Sequence, residues 1–350
     1  MTPAPRAERV SYTVEMESTH VGNQALHDAL ALVAPGTALR DGIDRIVRAK
    51  MGALLVLGDS PDVLGICSGG FLLDTKFTPP RLSELAKMDG AIIISTDGSR
   101  IARANVHLVP DPTVPTNETG TRHRTAERVA LSLQVPVVSV SEEMSVINVY
   151  AGGAKRQLHD IGRLLDRANQ ALQTLERYKA RLDDATSALT TLEVEDVVTV
   201  RDVTAVLQRG QMVRQIAGEI ETMIVELGVE ARLLRLQVDE VANDLDDELD
   251  LVILDYPLVA RASGPSTAPG ETLEPDAPIS PRGLRLLSRI TSLDDAQAAT
   301  IADHFGELSR VLRATADDLA SLPGITASQA HAVKDTLDRL TESTILDQYI

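Results

Sequence analysis

The character of the hydrophobic pattern changes near Gly152-Gly153, and this change restricts the fold more than any other feature. Before this point, short apolar runs such as 53–57 and 91–95 alternate with helical patterns. Such runs are typical of buried strands, and strands that alternate with helices favour partly parallel pairing. After this point the pattern is helical. We therefore predict an α/β mixed-sheet domain over residues 1–150, followed by all-α structure.

The elements of the first domain follow from apolar spacing and from turn residues. Helices are predicted over 20–34, 36–50, 81–88 and 126–133, and strands over 53–57, 63–66, 91–95, 101–109, 137–140 and 146–150. Ser68-Gly69-Gly70 is expected to form a tight turn of the backbone. Residues 1–19 are polar, and we expect them to be loose.

The second half of the chain divides into three segments. Helical spacing covers 154–189 and 200–251, and the second block ends in an acidic stretch that we interpret as a solvated face rather than a metal site. A stretch rich in Pro, Gly, Ser, Thr and Ala follows, which is typical of a linker. The expected order is a helical spine (151–260), a flexible linker (261–282) and a C-terminal domain (283–350).

The C-terminal domain contains the turn Pro323-Gly324-Ile325-Thr326 between two helical stretches. This is the layout of a helix-hairpin-helix, in which backbone N–H groups of the turn hold a DNA phosphate. A glycine usually follows the apolar residue of that turn, and here Thr326 takes its place, where it is expected to cap the second helix. From Pro281 to Ile350, seven Lys or Arg stand against ten Asp or Glu. We therefore expect one copy to bind DNA weakly and in a salt-sensitive way.

Composition excludes several kinds of function. Aromatic residues are 2% of the chain and the net charge is −17, which argues against base stacking and limits any DNA contact to a small basic surface. The single cysteine, Cys67, excludes an internal disulfide and a cysteine metal cage, and we interpret it as a small buried residue rather than a nucleophile. Because no apolar run approaches membrane-spanning length, we expect a cytoplasmic protein, with nucleoid association as a further possibility, and no membrane partner.

The segment Thr121-Arg122-His123-Arg124-Thr125 gathers positive charge behind Gly120 and before a predicted helix at Ala126. Free backbone N–H groups at a helix N-terminus favour an anion, and the forked charge of arginine suits phosphate oxygens. The segment taken alone is equally compatible with an exposed basic helix start.

Two further segments have side chains with oxygen atoms next to the ends of predicted strands. Asp89-Gly90-Ala91 lies at a helix-to-strand break, where the carboxylate either caps a turn or holds Mg²⁺ or Mn²⁺ on a polyphosphate. Ser141-Glu142-Glu143 follows a strand and offers groups for a metal or a ribose. His107, inside a predicted strand, is interpreted as structural. The sequence lacks a P-loop, a dinucleotide fingerprint, H-E-x-x-H, paired C-x-x-C and a nucleophile elbow.

Taken together, Met88-Asp89-Gly90-Ala91 and Gly120-Thr121-Arg122-His123-Arg124-Thr125 resemble the two signatures of the diadenylate cyclase family. The segments Ser68-Gly69-Gly70-Phe71 and Leu82-Ser83-Glu84-Leu85-Ala86-Lys87 also match, and the domain order is similar to that of family members with a spine and a helix-hairpin-helix. The resemblance covers nearly the whole chain. It implies condensation of two ATP into cyclic di-AMP and two pyrophosphates, with Mg²⁺ or Mn²⁺, in a homo-octamer.

The resemblance also assigns site residues. Asp89 is expected to bind the metal and to help activate the ribose 3′-hydroxyl, with Arg122 and His123 as its catalytic partners. The residues expected to contact the ATP phosphates are Thr121, Arg122, His123, Arg124, Thr125 and Ser141. The backbone of Gly90 and Ala91 is expected to line the nucleotide, and Leu108 is expected to contact the adenine. The expected DNA contacts are Pro323, Gly324, Ile325 and Thr326.

The chemistry implied by this resemblance needs no protein nucleophile, because the substrate hydroxyl attacks. Catalysis then consists of positioning and charge neutralisation. Each site holds one ATP, so two sites must face each other and the enzyme must at least dimerise. We further expect branched DNA to lower the cyclase rate. The alternatives are a non-catalytic branched-DNA scaffold with ATP as a regulatory ligand, and a repair nuclease, which lacks a carboxylate cluster.

Overall fold

The computed structural model describes residues 24–142, 144, 146–262 and 273–347. The predictions for residues 1–19, for Glu143 and for 263–272 of the linker lie outside these residues. The chain forms two compact units. The first contains the residues up to Asn169 together with Ile220–Arg235, and the second contains Gln170–Glu219 and the residues from Leu236 onward.

The first unit is built on a mixed eight-stranded sheet. Its strands are β1 (Ala53–Leu57), β2 (Cys67–Ser68), β3 (Phe71–Lys76), β4 (Ala91–Ile94), β5 (Arg100–Leu108), β6 (Val137–Val140), β7 (Ile147–Ala151) and β8 (Ala154–Gln157). The order is β2-β5-β4-β1-β6-β7-β8, and β3 also pairs with β5. Strands β1 and β4 are parallel, and the other pairs are antiparallel. The predicted mixed α/β domain is thereby confirmed.

Helices cover both faces of this sheet. They are α1 (24–32), α2 (Ala38–Arg48), α3 (Pro61–Gly65), α4 (Pro79–Leu85) and α5 (Thr121–Leu133). Side chains of β1 alternate between two cores, with Leu55 and Leu57 in one and Leu54 and Val56 in the other. Because both faces are buried, the strand is apolar throughout, which is why the sequence shows it clearly.

Several elements differ from the sequence predictions. Residues 63–65 belong to helix α3 and Ile66 is its C-cap, rather than forming a strand, because Ser60 caps a helix whose first turn contains Pro61. Strands β2 and β3 were not predicted. Residues 154–157 were predicted to be helical but form strand β8, which a turn with positive φ at Gly152 and Gly153 joins to β7. Helix α5 begins at Thr121 rather than Ala126.

The second half of the chain is helical, as predicted. Its helices are α6 (Ile161–Glu195), α7 (Val200–Leu227), α8 (Arg232–Ala242), α9 (Leu245–Asp255), α10 (Pro257–Ala262), α11 (Leu284–Leu287), α12 (Asp295–Phe305), α13 (Leu308–Arg313), α14 (Ala316–Ala320) and α15 (Ala327–Asp347), with a 3₁₀ turn at Gly228–Ala231. Among the described residues, every helix is too short or too polar to cross a membrane.

The described end of the predicted linker is hydrogen-bonded to the start of α7. The amide of Ile279 donates to the carbonyl of Val198 at 2.9 Å, and the amide of Arg201 donates to the carbonyl of Pro275 at 2.8 Å. This part of the stretch predicted to be flexible is therefore held in place by backbone hydrogen bonds.

A buried ion pair fastens α11 within the second unit. The Arg285 and Glu193 side chains are each 1% exposed and bond directly to each other, and Tyr256 Oη donates to Glu193 Oε1 at 2.8 Å. Asp255 accepts from the amides of Leu284 and Arg285 at 2.7 and 2.8 Å. Burial raises the pKa of Asp255 to about 6 in spite of these two bonds.

The turn between α14 and α15 contains the four residues predicted to contact DNA. Ile325 is buried, whereas Pro323, Gly324 and Thr326 are exposed, and Gly324 has a φ of 84°. The amide of Gln329 donates to Thr326 Oγ1 at 3.3 Å, and the amide of Thr326 donates to Gln329 Oε1 at 3.1 Å. The prediction that Thr326 caps the second helix is confirmed.

Candidate active site

An open cleft of about 940 Å³ lies at the amino ends of the parallel strands β1 and β4. Leu54, Ala91 and Val106 are register partners on three neighbouring strands and form its floor. The cleft falls in the size range of small-molecule sites, roughly 300–1,000 Å³. Residues from both sequence motifs line it, and those predicted as site residues are Asp89, Gly90, Ala91, Leu108, Thr121, Arg122, His123, Thr125 and Ser141.

The two motifs approach each other through Asp89 and Arg122. Arg122 Nη2 lies 3.8 Å from Asp89 Oδ1, although Asp89 precedes β4 and Arg122 lies in α5, with β5 between them in the sequence. The Asp89 side chain is fully exposed, and within the described residues its carboxylate accepts one hydrogen bond, from the Gly90 amide at 3.1 Å. Its remaining oxygen lone pairs are therefore available to a ligand.

Gly90 brings Asp89 to the rim of the cleft. Its φ is +114°, and a Cβ at this position would lie 2.9 Å from the Asn105 carbonyl carbon and 3.0 Å from the Val106 amide nitrogen. A side chain would collide with backbone that cannot move aside, so the close approach of this turn to β5 requires glycine.

Helix α5 delivers the basic motif in its first turn. Gly120 is the N-cap and supplies no side-chain bond, so the amides of the first turn keep their donors for a ligand. Thr125 lines the cleft, and its hydroxyl donates to the Thr121 carbonyl at 3.0 Å. Arg124 is exposed and is absent from the cleft lining. The structure thus separates Arg124 from Arg122 and His123.

His123 is anchored from beneath by a chain of polar side chains. Its Nδ1 lies 2.8 Å from Ser139 Oγ and 3.2 Å from Tyr150 Oη. Tyr150 Oη donates to Glu118 Oε1 at 3.2 Å, and Lys155 Nζ lies 2.5 Å from the same oxygen. Since Nδ1 is engaged by this chain, Nε2 is the ring nitrogen left for a ligand in the cleft.

The charges in this chain shift the pKa values of its members. Burial lowers the pKa of His123; among the nearby charges, Glu118 opposes this effect, and Lys155 and Arg122 add to it. Burial acts to raise the pKa of Glu118, but the Lys155 ammonium and the Tyr150 hydroxyl outweigh it and hold that pKa below its usual value. His123 is therefore neutral at neutral pH, and Glu118 is ionised.

Sequence reasoning missed Glu118, Ser139 and Tyr150. Ser139 and Tyr150 lie on adjacent strands and are 0% and 2% exposed. A serine inside the otherwise apolar run 137–140 was a usable signal, because a buried hydroxyl needs a partner. The identity of that partner required the sheet register.

The remaining predicted positions have mixed outcomes. Ser141 and Glu142 line the cleft. His107 was interpreted as structural, but it is exposed and also lines the cleft. Cys67 is half-buried, and its thiol donates to the Val63 carbonyl at 3.2 Å. Burial raises the pKa of this thiol, which supports its interpretation as a packed residue rather than a nucleophile.

The donor set fits a divalent cation that is shared with a ligand. Among the described residues, no group of three or more His, Cys, Asp and Glu side chains could enclose an ion. Asp89 offers one exposed carboxylate. Mg²⁺ is commonly held by one or two carboxylates together with water and substrate phosphates, and this arrangement suits Asp89.

Two regions of the chain match protein-family profiles. Residues 40–155 match the DisA bacterial checkpoint controller nucleotide-binding family, and residues 158–271 match the DisA bacterial checkpoint controller linker region. The two matches together cover more than half of the chain.

Full-length relatives agree with these profiles. The chain is 47% identical over 354 residues to the DNA integrity scanning protein DisA of Frankia casuarinae, and the alignment covers 94% of this chain and 99% of the relative. The protein of the same name from Streptomyces coelicolor is 47% identical over 352 residues, covering 92% and 93%. Among solved structures, a double mutant of DacA from Staphylococcus aureus is 26% identical and covers 35% of this chain and 85% of its own, with a TM-score of 0.29.

Proposed function

This chain belongs to the DNA integrity scanning protein family and is a diadenylate cyclase, and we propose that its cleft holds one ATP for condensation with a second ATP in a facing copy. The observation that carries the proposal is the meeting of Asp89 and Arg122, 3.8 Å apart, from the family's two signature motifs. An acidic and a basic group at one cleft suit a triphosphate with its cation.

In the proposed reaction, the 3′-oxygen of each ribose attacks the α-phosphorus of the opposite ATP. A new P–O bond forms, and the bond to pyrophosphate breaks. The first-turn amides of α5, the Arg122 guanidinium and His123 Nε2 hold phosphate oxygens, together with Thr121, Thr125 and Ser141. These groups neutralise charge that develops on the α-phosphate and on the leaving pyrophosphate. Leu108 and the backbone of Gly90 and Ala91 enclose the nucleoside.

Asp89 has two roles in this proposal. It accepts a hydrogen bond from the 3′-hydroxyl and takes up its proton as the oxygen attacks the α-phosphorus, and it would also hold Mg²⁺ or Mn²⁺. The bound cation would supply Lewis-acid stabilisation of phosphate charge. Since the carboxylate is fully exposed in one copy, its surroundings in the reaction are completed by the triphosphate and the opposite subunit. Two copies are the smallest assembly that the reaction permits, and the octamer is our proposal for the complete one.

The test is an ATP reaction with Mg²⁺ or Mn²⁺, analysed by chromatography. The wild-type chain should release cyclic di-AMP and two pyrophosphates for each product. Asp89→Asn should abolish turnover while the assembly persists, and Asp62→Asn, an exposed acid on α3 outside the cleft lining, should leave the rate unchanged. Normal activity of Asp89→Asn would contradict the metal assignment, and ATP binding without product would favour a non-catalytic scaffold.

We also propose that the turn Pro323-Gly324-Ile325-Thr326 binds branched DNA, which would associate the protein with the nucleoid, and that this binding lowers the cyclase rate. Three of its residues are exposed, and Gly324 opens the backbone toward solvent. Gly324 has a φ of +84° and Gly306 a φ of +75°, and neither would bring a Cβ within 4 Å of another atom. Gly324→Ala should therefore relieve inhibition by junction DNA, whereas Gly306→Ala should not. Equal rates with and without junction DNA would remove the proposal.

A further inference from the structure

The Arg122 guanidinium lies next to Gly52, the residue just before β1. A Cβ at Gly52 would lie 2.1 Å from Arg122 Nη1, 2.7 Å from Cζ and 2.9 Å from Nη2. All of the closest atoms belong to the guanidinium, so the space that a side chain would fill at this position is already occupied by the head group of one arginine.

Backbone conformation does not explain the glycine at this position. Gly52 is absent from the glycines with positive φ, whereas Gly69, Gly70 and Gly90 have φ values of 67°, 79° and 114°. An L-residue is therefore compatible with its dihedral angles, and the missing side chain matters because of what it leaves open.

We propose that Gly52 is a positioning residue for the cyclase reaction, which leaves the space that sets the Arg122 guanidinium beside Asp89. The inference rests on the proposed role of Arg122 at the ATP phosphates. Arg122 is one-third exposed, and 3.8 Å separates it from Asp89, so neither a tight ion pair nor close burial determines its position. The surface at Gly52 limits how deeply the guanidinium sits in the cleft.

The size of the expected effect follows from the distances. Ordinary contacts of a Cβ begin at 3.4 Å, so the nitrogen at 2.1 Å has to move by about 1.3 Å when alanine replaces Gly52. A displacement of about 1 Å at a reacting group costs on the order of 100-fold in rate. Gly52→Ala should therefore lower kcat/KM for ATP by about 10- to 100-fold.

The test is a double-mutant cycle with Gly52→Ala and Arg122→Ala. Gly52→Ala should lower turnover and ATP affinity in the wild-type background and change each by less than about twofold once Arg122 is alanine, because the colliding group is gone. Binding of adenosine, which carries no phosphate, should be equal in wild type and Gly52→Ala. Gly65→Ala is the matched control, since Gly65 also lacks a positive φ and its Cβ would meet no atom within 4 Å.

Each outcome separates the inference from the proposed function. Unchanged activity of Gly52→Ala, or an equal loss in both backgrounds, would overturn the role of Gly52. Normal turnover and ATP affinity of Arg122→Ala would instead contradict the phosphate role of Arg122. If Gly52→Ala fails to fold, recovery of folding in the double variant would still show that the added methyl group collides with the Arg122 guanidinium. Failure of both variants to fold would mean that it collides with the backbone, and this result would overturn the role of Gly52.

Discussion

Ser139 Oγ lies 2.8 Å from His123 Nδ1, directly beneath the first turn of α5. Ser139 is 0% exposed and His123 lines the cleft, so this contact joins the interior of the sheet to the site. A ring held at Nδ1 has a fixed orientation, so the Nε2 that we propose as a phosphate ligand is already directed before the nucleotide binds. The polar chain beneath the site is therefore part of its preorganisation.

Tyr150→Phe should reduce turnover by about tenfold, because the loss of one supporting hydrogen bond loosens the His123 ring by an energy of about 1–2 kcal/mol. The same change leaves Glu118 with one partner fewer. Steady-state kinetics with ATP measures the effect, and the fall should lie mainly in kcat.

Tyr256→Phe provides the control for that change. Tyr256 is also buried and donates to a glutamate, Glu193, but it lies in the second unit. Tyr256→Phe should lower the thermal midpoint by about as much as Tyr150→Phe does, but it should leave the cyclase kinetics unaltered. An equal kinetic loss in both variants would assign the Tyr150 effect to general destabilisation.

The pKa of His123 should respond in opposite directions to its two charged neighbours. Lys155 lowers this pKa and Glu118 raises it, so Lys155→Met should raise the His123 pKa and Glu118→Gln should lower it further. Titration of the His123 ring by NMR in the ATP-free protein measures both shifts. Shifts of the same sign in both variants would contradict the assigned chain.

The stability contributed by His123 has a defined pH dependence. Its folded pKa lies below the ordinary value of 6.5, so the unfolded chain binds more protons between these two values. The contribution should be complete above pH 6.5 and should be lost as the pH falls toward the folded pKa. Chemical unfolding of His123→Gln should show a weaker loss over this window than the wild type does.

Arg285→Leu should destabilise the second unit by about 3–5 kcal/mol, because it leaves the Glu193 carboxylate buried without its cation. The reference is Arg214→Leu, which breaks a pair with Asp246 whose side chains are 53% and 72% exposed. That exposed pair should contribute less than about 1 kcal/mol. Denaturant unfolding, followed by a probe in the second unit, distinguishes the two, and similar losses would contradict the buried character of Arg285.

Gly90→Ala should remove activity and also destabilise the first unit by about 1–3 kcal/mol, since a left-handed residue would meet backbone atoms at 2.9–3.0 Å. Gly69→Ala is the comparison, because Gly69 has a positive φ of 67° but open space around its Cβ. It should show the strain alone, with a smaller loss of stability. Thermal unfolding of both variants is the measurement.

Local rules predicted much of the scaffold correctly. Strands β1, β4 and β6 were predicted from their apolar runs. Both faces of each strand are buried, so nearly every residue is apolar and the run is visible in the sequence. The cap at Thr326 was also predictable, because threonine is a common N-cap residue and its bonding partner Gln329 lies one helical turn away. The predictions for 63–66 and 154–157 were wrong because short apolar or mixed stretches do not distinguish helix from strand without caps or partners.

The sequence by itself determined which residues we propose to carry the chemistry, Asp89 in one motif and Arg122 with His123 in another, and it determined most of the strands that lie beneath them. Tertiary structure decided what holds those side chains in place: Gly52 against Arg122, and Ser139 with Tyr150 against His123. The physical reason is that a motif records groups adjacent in the chain, whereas these supports come from separate strands. Their meeting depends on sheet register and on the position where α5 begins, and neither quantity is written in any single segment.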